Sequence, residues 1–173
     1  MACSRSAGRV RTAVLVLLGL GATLFVAVQP AGAASVTITP IAVIGSPGHA
    51  DLYGWGMATE TDGSVLVGDY WNYRIVRYAK DGTPLGTVVP RAATHLAPYG
   101  IAVDPTNGDL YFGDVDSGAT VDKYTASGAF LLQFGSPGTG ANRFVYPSRV
   151  AVAADRTVYV ADARDNTVSA HSP

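Results

Sequence analysis

The chain has 173 residues, of which 48% are hydrophobic and 14% are charged, and its formal net charge is −1. This length allows a sizeable buried core, and the slightly acidic balance argues against nucleic acid or an anionic membrane surface as a partner. The single cysteine, Cys3, lies near the N-terminus, which excludes a disulfide framework or a cysteine zinc site in the rest of the chain.

The N-terminal segment predicts a secretory signal peptide. Residues 1–12 carry Arg5, Arg9 and Arg11 and no acid, residues 13–28 are apolar, and small residues follow at 31–34. This order of basic, apolar and small residues predicts cleavage after Ala33 or Ala34, so residues 1–34 are the signal and the protein is secreted. The apolar run is shorter than the roughly 20 residues of a spanning helix, so we expect no membrane insertion after cleavage. Cleavage would remove those three arginines and leave a chain with nine basic and thirteen acidic residues.

The rest of the chain is a repeat of short strands. Residues 98–135 contain four apolar runs, at 101–103, 110–112, 121–124 and 130–134, separated by Gly, Asn, Asp and Pro. Such runs predict an antiparallel meander. The unit recurs upstream and downstream, with aspartates at the end of each second run, Asp69, Asp114 and Asp162. A period of roughly 40–45 residues with four strands is typical of a β-propeller blade.

The repeat motifs resemble those of the NHL-repeat family of β-propellers. They are PYGIAVD at Pro98–Asp104, NYRIVRY at Asn72–Tyr78, YVAD at Tyr159–Asp162 and GAFLLQFG at Gly128–Gly135. The resemblance covers about residues 36–172 and implies an all-β fold of about three blades, each a four-stranded antiparallel sheet.

The repeats divide the secreted part, residues 35–173, into units of about 49–90, 91–138 and 139–173. Gly-Ser-Pro-Gly at 45–48 repeats the same four residues at 135–138, so residues 35–48 are predicted to hold a lone fourth-type strand, Val36–Ile44.

The three aspartates have two interpretations. Carboxylates near a propeller mouth suit Ca²⁺, which prefers hard oxygen ligands. Alternatively, each accepts backbone N–H groups of the following turn, and its presence in every repeat favours this structural role. Asp69, Asp114 and Asp162 are therefore weak metal candidates, and no cofactor is predicted.

The histidines offer a second metal hypothesis. Lyases of the resembled family hold zinc with histidines, and His49 and His95 lie in equivalent loops between repeats. His171 lies at the end of a third-type strand, and a clear third ligand is lacking, so calcium and zinc remain alternatives rather than predictions.

An aromatic cluster is the main candidate for binding. Tyr70, Trp71, Tyr73 and Arg74 occupy the turn after the second strand of the first repeat, and Tyr53, Trp55, Tyr99, Arg143, Tyr146 and Arg149 come from loops expected on the same face. Tyr, Trp and Arg are enriched in recognition surfaces and suit a protein, peptide or glycan ligand. The predicted ligand-binding residues are Tyr70, Trp71, Arg74, Tyr99, Arg143 and Tyr146, with packing of Trp71 on a neighbouring blade as the alternative.

These observations favour an exported, non-catalytic binding or protein-interaction module. The alternatives are a propeller-type lyase or lactonase with a metal at the axis, and an inactive part of a longer propeller. Three blades are too few to close a ring, since propellers have about four to eight. We therefore expect a homodimer that completes a six-bladed ring, in which Val36–Ile44 of one copy pairs with the third-type strand that ends at His171 of the other.

The signal peptide makes a direct prediction. N-terminal sequencing of the protein recovered from the culture medium should find a chain that starts at Ala34 or Ser35. Recovery of intact Met1 in the membrane fraction would contradict it.

Overall fold

In the computed structural model, the structure describes residues 40, 44, 52–90, 97–116 and 118–172. The predicted signal peptide, His49, His95 and all of the predicted strand 36–44 except Pro40 and Ile44 lie outside these residues. The elements are β1 (Gly54–Thr59), β2 (Val65–Asp69), a 3-10 turn (Tyr70–Asn72), β3 (Arg74–Tyr78), β4 (Pro84–Val89), β5 (Pro98–Val103), β6 (Leu110–Asp114), β7 (Thr120–Tyr124), β8 (Phe130–Phe134), β9 (Pro147–Val152), β10 (Val158–Asp162) and β11 (Thr167–His171).

These strands form three antiparallel meanders, each of which is one blade. Blade 1 has the order β1-β2-β3-β4, blade 2 has β5-β6-β7-β8, and blade 3 has β9-β10-β11. The predicted all-β fold of four-stranded antiparallel blades is confirmed in blades 1 and 2, while blade 3 has three strands within the described residues. No helix in these ranges is long and apolar enough to cross a membrane.

Hairpin turns connect the strands of each blade. In the first hairpin of blades 1 and 2, Gly63 and Gly108 have φ of 86° and 79°, a conformation that glycine adopts without steric cost. Blade 3 has Arg156 in this turn, with φ of 69°. The Arg156 Nε donates to an Asp104 carboxylate oxygen at 3.2 Å, so the residue that replaces glycine links blade 3 to blade 2.

Two apolar clusters hold neighbouring blades together. Between blades 1 and 2 the buried residues are Leu66, Ile75, Val89, Ile101, Leu110, Phe112 and Tyr124. Between blades 2 and 3 they are Ala102, Tyr111, Ala119, Val121, Phe144, Val150, Val158 and Val160. Successive side chains of a strand point to opposite faces of its sheet, and this explains why blade 2 contributes residues to both clusters. On β6, Phe112 faces blade 1 and Tyr111 faces blade 3.

Glycines bring the second strand of one blade into close contact with the inner strand of the next. A Cβ on Gly68 would lie 2.6 Å from the carbonyl oxygen of Pro98, and one on Gly113 would lie 1.8 Å from that of Pro147. These two glycines occupy the same position in β2 and β6. Each seam therefore requires a residue without a side chain at this position.

Replacing Gly113 by alanine should open the seam between blades 2 and 3. Since the new methyl group would overlap the Pro147 carbonyl, we expect a loss of about 3 kcal/mol in the free energy of unfolding, measured by chemical denaturation. Gly118→Ala is the matched control, because its Cβ would meet only a Thr120 methyl group at 3.6 Å. Equal stability of the two variants would show that the close approach is not required.

Candidate ligand-binding surface

The aspartate that ends each second strand ties two loops together. The buried Asp162 carboxylate accepts four backbone N–H groups, from Val145 at 2.6 Å, Tyr146 at 2.9 Å, Arg164 at 3.1 Å and Asp165 at 3.0 Å. Two of these donors precede the inner strand of the blade, and two follow Asp162 in the next turn. One carboxylate thus fixes the backbone of both loops at this end of blade 3.

The same arrangement recurs in the other blades with different donors. Asp69 accepts the N–H of Tyr53 at 2.9 Å and the Nε of Arg74 at 2.8 Å. Asp114 accepts the N–H of Ala97 at 3.4 Å and that of Asp116 at 3.2 Å. Both aspartates are buried. The geometry supports the structural interpretation of these residues rather than a ring of calcium ligands.

Hydrogen bonds and burial shift the pKa of Asp162 in opposite directions. Burial alone would raise the pKa of its carboxyl group, but the backbone N–H donors outweigh that cost and the pKa is lowered from its ordinary value. The ionised form is therefore the one that the fold stabilises.

A contiguous aromatic surface lies at this end of the blades. We use this name for Trp55, Tyr70, Trp71, Tyr99 and Tyr146. Tyr70, Trp71 and Tyr146 belong to the loops held by these aspartates, whereas Trp55 and Tyr99, which were expected in loops, lie on β1 and β5. Trp55 contacts Tyr99 with ring centroids 4.7 Å apart and Tyr70 at 5.4 Å. Trp71 meets Tyr70 edge to face at 5.0 Å, and Tyr146 meets Tyr99 in the same way at 5.2 Å. The five rings come from all three blades.

The aromatic surface combines a buried base with exposed rings. Tyr70 is buried, and its hydroxyl donates to the two Asp116 carboxylate oxygens at 2.9 and 3.0 Å. Burial, followed by this carboxylate, raises the pKa of Tyr70. Trp55 and Trp71, by contrast, are 48% and 56% exposed. Their rings are available for stacking, and the buried Tyr70 ring contacts both of them.

Two arginines border the aromatic surface. The Arg149 guanidinium lies 5.3 Å from the centroid of Tyr99, and that of Arg164 lies 4.6 Å from the centroid of Tyr146. Arg149 also donates to the Ser148 carbonyl oxygen at 2.8 Å. Neither forms an ion pair with a carboxylate inside the described ranges. Their N–H groups are placed to bind an anionic or hydroxyl-rich ligand.

Equivalent turn positions differ chemically among the blades. Trp71, Asp116 and Arg164 each lie two residues after the buried aspartate of their blade. The repeat thus presents an indole, a carboxylate and a guanidinium at one structural position.

The structure brings together four of the six predicted ligand-binding residues: Tyr70, Trp71, Tyr99 and Tyr146. Arg74 pairs with Asp69, with its side chain 35% exposed. Arg143 donates to the Pro137 carbonyl oxygen at 3.1 and 2.9 Å from its Nε and Nη2, and thus stabilises the loop before β9. None of its contacts in the described part of the chain involves the aromatic surface.

The six predicted ligand-binding residues did not include Trp55 and Arg149, although both were expected on this face, and they did not include Asp116 and Arg164. Trp55 precedes Gly56 as Tyr99 precedes Gly100, so this repeat equivalence indicates its position. Asp116 and Arg164 share the position of Trp71, but their residue types differ, and no motif marks them. Their participation follows only from the packing of the three blades.

His171, the one histidine within the described residues, packs in an apolar environment. Its ring lies 5.1 Å from that of Phe134 and 5.7 Å from that of Phe144, and Ser169 hydrogen-bonds to its Nε2 at 2.8 Å. Burial lowers its pKa. No group of three or more His, Cys, Asp or Glu side chains in the described ranges is arranged to hold a metal ion.

The fold places the chain among β-propeller structures. One match is a streptogramin B lyase, with a TM-score of 0.52, 20% identity, and coverage of 66% of this chain and 35% of the lyase chain. A second is a catalytically inactive virginiamycin B lyase from Staphylococcus aureus with quinupristin, with a TM-score of 0.50, 23% identity, and coverage of 66% and 36%. A third is a nidogen/laminin complex, with a TM-score of 0.54, 18% identity, and coverage of 68% and 47%.

These likenesses establish the propeller architecture. The aligned part of this chain spans between a third and a half of the length of these propeller chains. No family model and no curated protein matches the sequence.

Replacing Asp162 by alanine should release the loops that it holds. Four N–H groups would lose a charged acceptor, so we expect a loss of about 3 kcal/mol in the free energy of unfolding at neutral pH. Because the folded-state pKa is lowered, this contribution is present above the unfolded pKa, near 3.8, and disappears as the pH falls through the lower folded value.

The control is Asp155→Ala, which removes one exposed hydrogen bond, to the Thr157 N–H at 3.0 Å. Denaturation at pH 7 and pH 3 measures both variants. A loss for Asp162→Ala no greater than that for Asp155→Ala at pH 7 would contradict the role of the carboxylate.

Proposed function

We propose that this chain is an exported, non-catalytic binding module that holds a peptide or glycan on its aromatic surface. The observation that supports it most strongly is the contiguous set of five rings from three blades, with Trp55 and Trp71 each about half exposed. Indole and phenol rings stack on sugar rings and on proline or aromatic side chains.

The surface also provides polar groups for orientation. Asp116, Arg149 and Arg164 adjoin the rings, so a carboxylate acceptor and guanidinium donors lie next to the surface on which a ligand would stack. A few polar groups around an apolar platform are the usual composition of a recognition site.

The buried aspartates supply rigidity. Because the loops are held before a ligand arrives, binding does not require them to be ordered, and the entropy cost of association is reduced. The repeat motifs, which resemble those of the NHL family, support the proposal further, because propellers of that family often serve as interaction modules.

A lyase or lactonase is the competing proposal, supported by the likeness of the fold to that of the two lyases. The aspartates nearest to the loop ends argue against it, because their carboxylates are occupied by N–H donors. Metal analysis of the purified protein separates the two proposals. Stoichiometric zinc or calcium would favour the enzyme.

The binding proposal predicts separable effects at Trp71. A ligand is first selected by screening the purified protein on arrays of peptides and oligosaccharides. Trp71→Ala should then weaken binding at least tenfold in calorimetry, since exposed aromatic anchors dominate such surfaces. Its stability should stay within about 1 kcal/mol of that of the unchanged protein.

Leu85→Ala is the matched control, because Leu85 is 57% exposed and lies on β4. It should bind the ligand normally. A loss of several kcal/mol in stability for Trp71→Ala would assign the indole to packing, and unchanged affinity would exclude it from the binding surface.

A further inference from the structure

The positive charge beside the aromatic surface comes from a single blade. Arg149 lies on β9 and Arg164 in the turn between β10 and β11, so both belong to blade 3. Their guanidinium groups lie over Tyr99 and Tyr146, two rings that contact each other with centroids 5.2 Å apart. The two cations therefore border one pair of touching rings.

These two guanidinium groups keep most of their hydrogen-bond donors available. Both arginines are exposed. Within the ranges that the structure describes, Arg149 uses its Nη1, which donates to the Ser148 carbonyl oxygen, and no hydrogen bond involves the Arg164 guanidinium. Contact with a tyrosine ring restrains each group, and its planar fork of N–H donors matches the two oxygens of a carboxylate. The charge at this part of the surface is thus complementary to carboxylate groups of a ligand.

An acceptor lies beside these donors. Asp116 is exposed, and its two carboxylate oxygens each accept the Tyr70 hydroxyl, at 3.0 and 2.9 Å. A carboxylate has about four lone-pair sites, so Asp116 has capacity for further donors. Its negative charge would repel a ligand that is anionic along its whole length. The combination of Asp116 with the two arginines therefore favours a ligand that carries hydroxyl groups as well as carboxylates.

The indoles are presented on an open face. Trp55 is 48% exposed and Trp71 is 56% exposed. Cavities of about 540 and 350 Å³ occur in the described part of the chain, but no residue that lines them belongs to the aromatic surface. The anchors of protein and peptide ligands usually fill pockets. Open aromatic faces are better suited to the flat C–H face of a sugar ring.

We propose that the ligand of the aromatic surface is an acidic oligosaccharide, built of sugar rings that carry carboxylate groups. The sugar rings lie on Trp55 and Trp71. Their carboxylates bind Arg149 and Arg164, and their hydroxyl groups donate to Asp116. The inference rests on the proposed function, because it names the ligand class of the same surface. A uronic acid combines the three groups that the surface requires: an apolar ring face, hydroxyl donors and a carboxylate.

Calorimetry with matched pairs of oligosaccharides tests the role of charge. The probes are short oligomers of galacturonate, mannuronate and guluronate, each compared with its methyl ester, which keeps the rings but removes the charge. At least one acid should bind at least tenfold more tightly than its ester, and the difference should decrease as the salt concentration rises. A pentaglutamate peptide, which has carboxylates but no sugar rings, should bind at least tenfold more weakly than that acid.

Variants of the arginines separate charge from stacking. Arg149→Gln and Arg164→Gln should each weaken binding of the acid at least fivefold and leave the lower affinity for the ester unchanged. Trp71→Ala should weaken binding of both. Arg143→Gln is the matched control, because Arg143 is exposed and donates to the Pro137 carbonyl oxygen rather than contacting the described aromatic surface. This variant should bind both probes normally.

The outcomes distinguish this inference from the proposed function. Esters that bind as tightly as all three acids, a pentaglutamate peptide that binds as tightly as the acids, or unchanged affinity in both arginine variants would each overturn the inference. In any of these cases, a neutral oligosaccharide or a peptide whose binding is lost in Trp71→Ala would leave the binding module itself supported. Failure of all three acids to bind, together with no effect of Trp71→Ala on any ligand found by the array screen, would overturn both.

Discussion

A buried carboxylate at the end of each second strand determines how this propeller presents its loops. Asp162 shows the principle most fully, because it accepts backbone N–H groups from the loop before the inner strand and from the turn after its own strand. Without this charged acceptor, four partly buried N–H groups would lose their hydrogen-bond partner, and such a loss is costly where water cannot replace the acceptor. The carboxylate therefore makes irregular loops compatible with a packed blade end. The rings of Tyr70 and Tyr146 belong to loops of this kind, and the aromatic surface depends on them.

The close packing of blades adds a second constraint. Gly68 and Gly113 allow the second strand of one blade to approach the inner strand of the next, and this approach brings Trp55, Tyr99 and Tyr146 from different blades into one surface. The loops and the seams therefore act together: the aspartates hold the loops that carry Tyr70, Trp71 and Tyr146, and the glycines allow the close spacing between blades. An aromatic surface assembled from three blades needs both.

Repeat analysis was sufficient to predict the fold. Short apolar runs bounded by turn residues correspond to strands in each blade, although β5 begins at Pro98, three residues before the predicted run. The site was only partly predictable, because its contacts join residues far apart in sequence. Nothing near Arg74 indicates that it will pair with Asp69 rather than face a ligand. Nor does the sequence around Asp116 show that it lies under the Tyr70 hydroxyl, since that contact exists only after blades 1 and 2 pack.

Two aspartates in this chain show how the surroundings of a carboxyl group shift its pKa. Asp162 is surrounded by N–H donors and its pKa is lowered, whereas burial raises the pKa of Asp122 to about 6, despite a 2.8 Å hydrogen bond from Gln133. A carboxyl carbon NMR titration of the purified protein measures both and tests the central role of the loop aspartates most directly. We expect Asp162 to titrate below 3.8 and Asp122 near 6. A value for Asp162 at or above 3.8 would contradict the account, because it would show that the fold does not stabilise the ionised carboxylate.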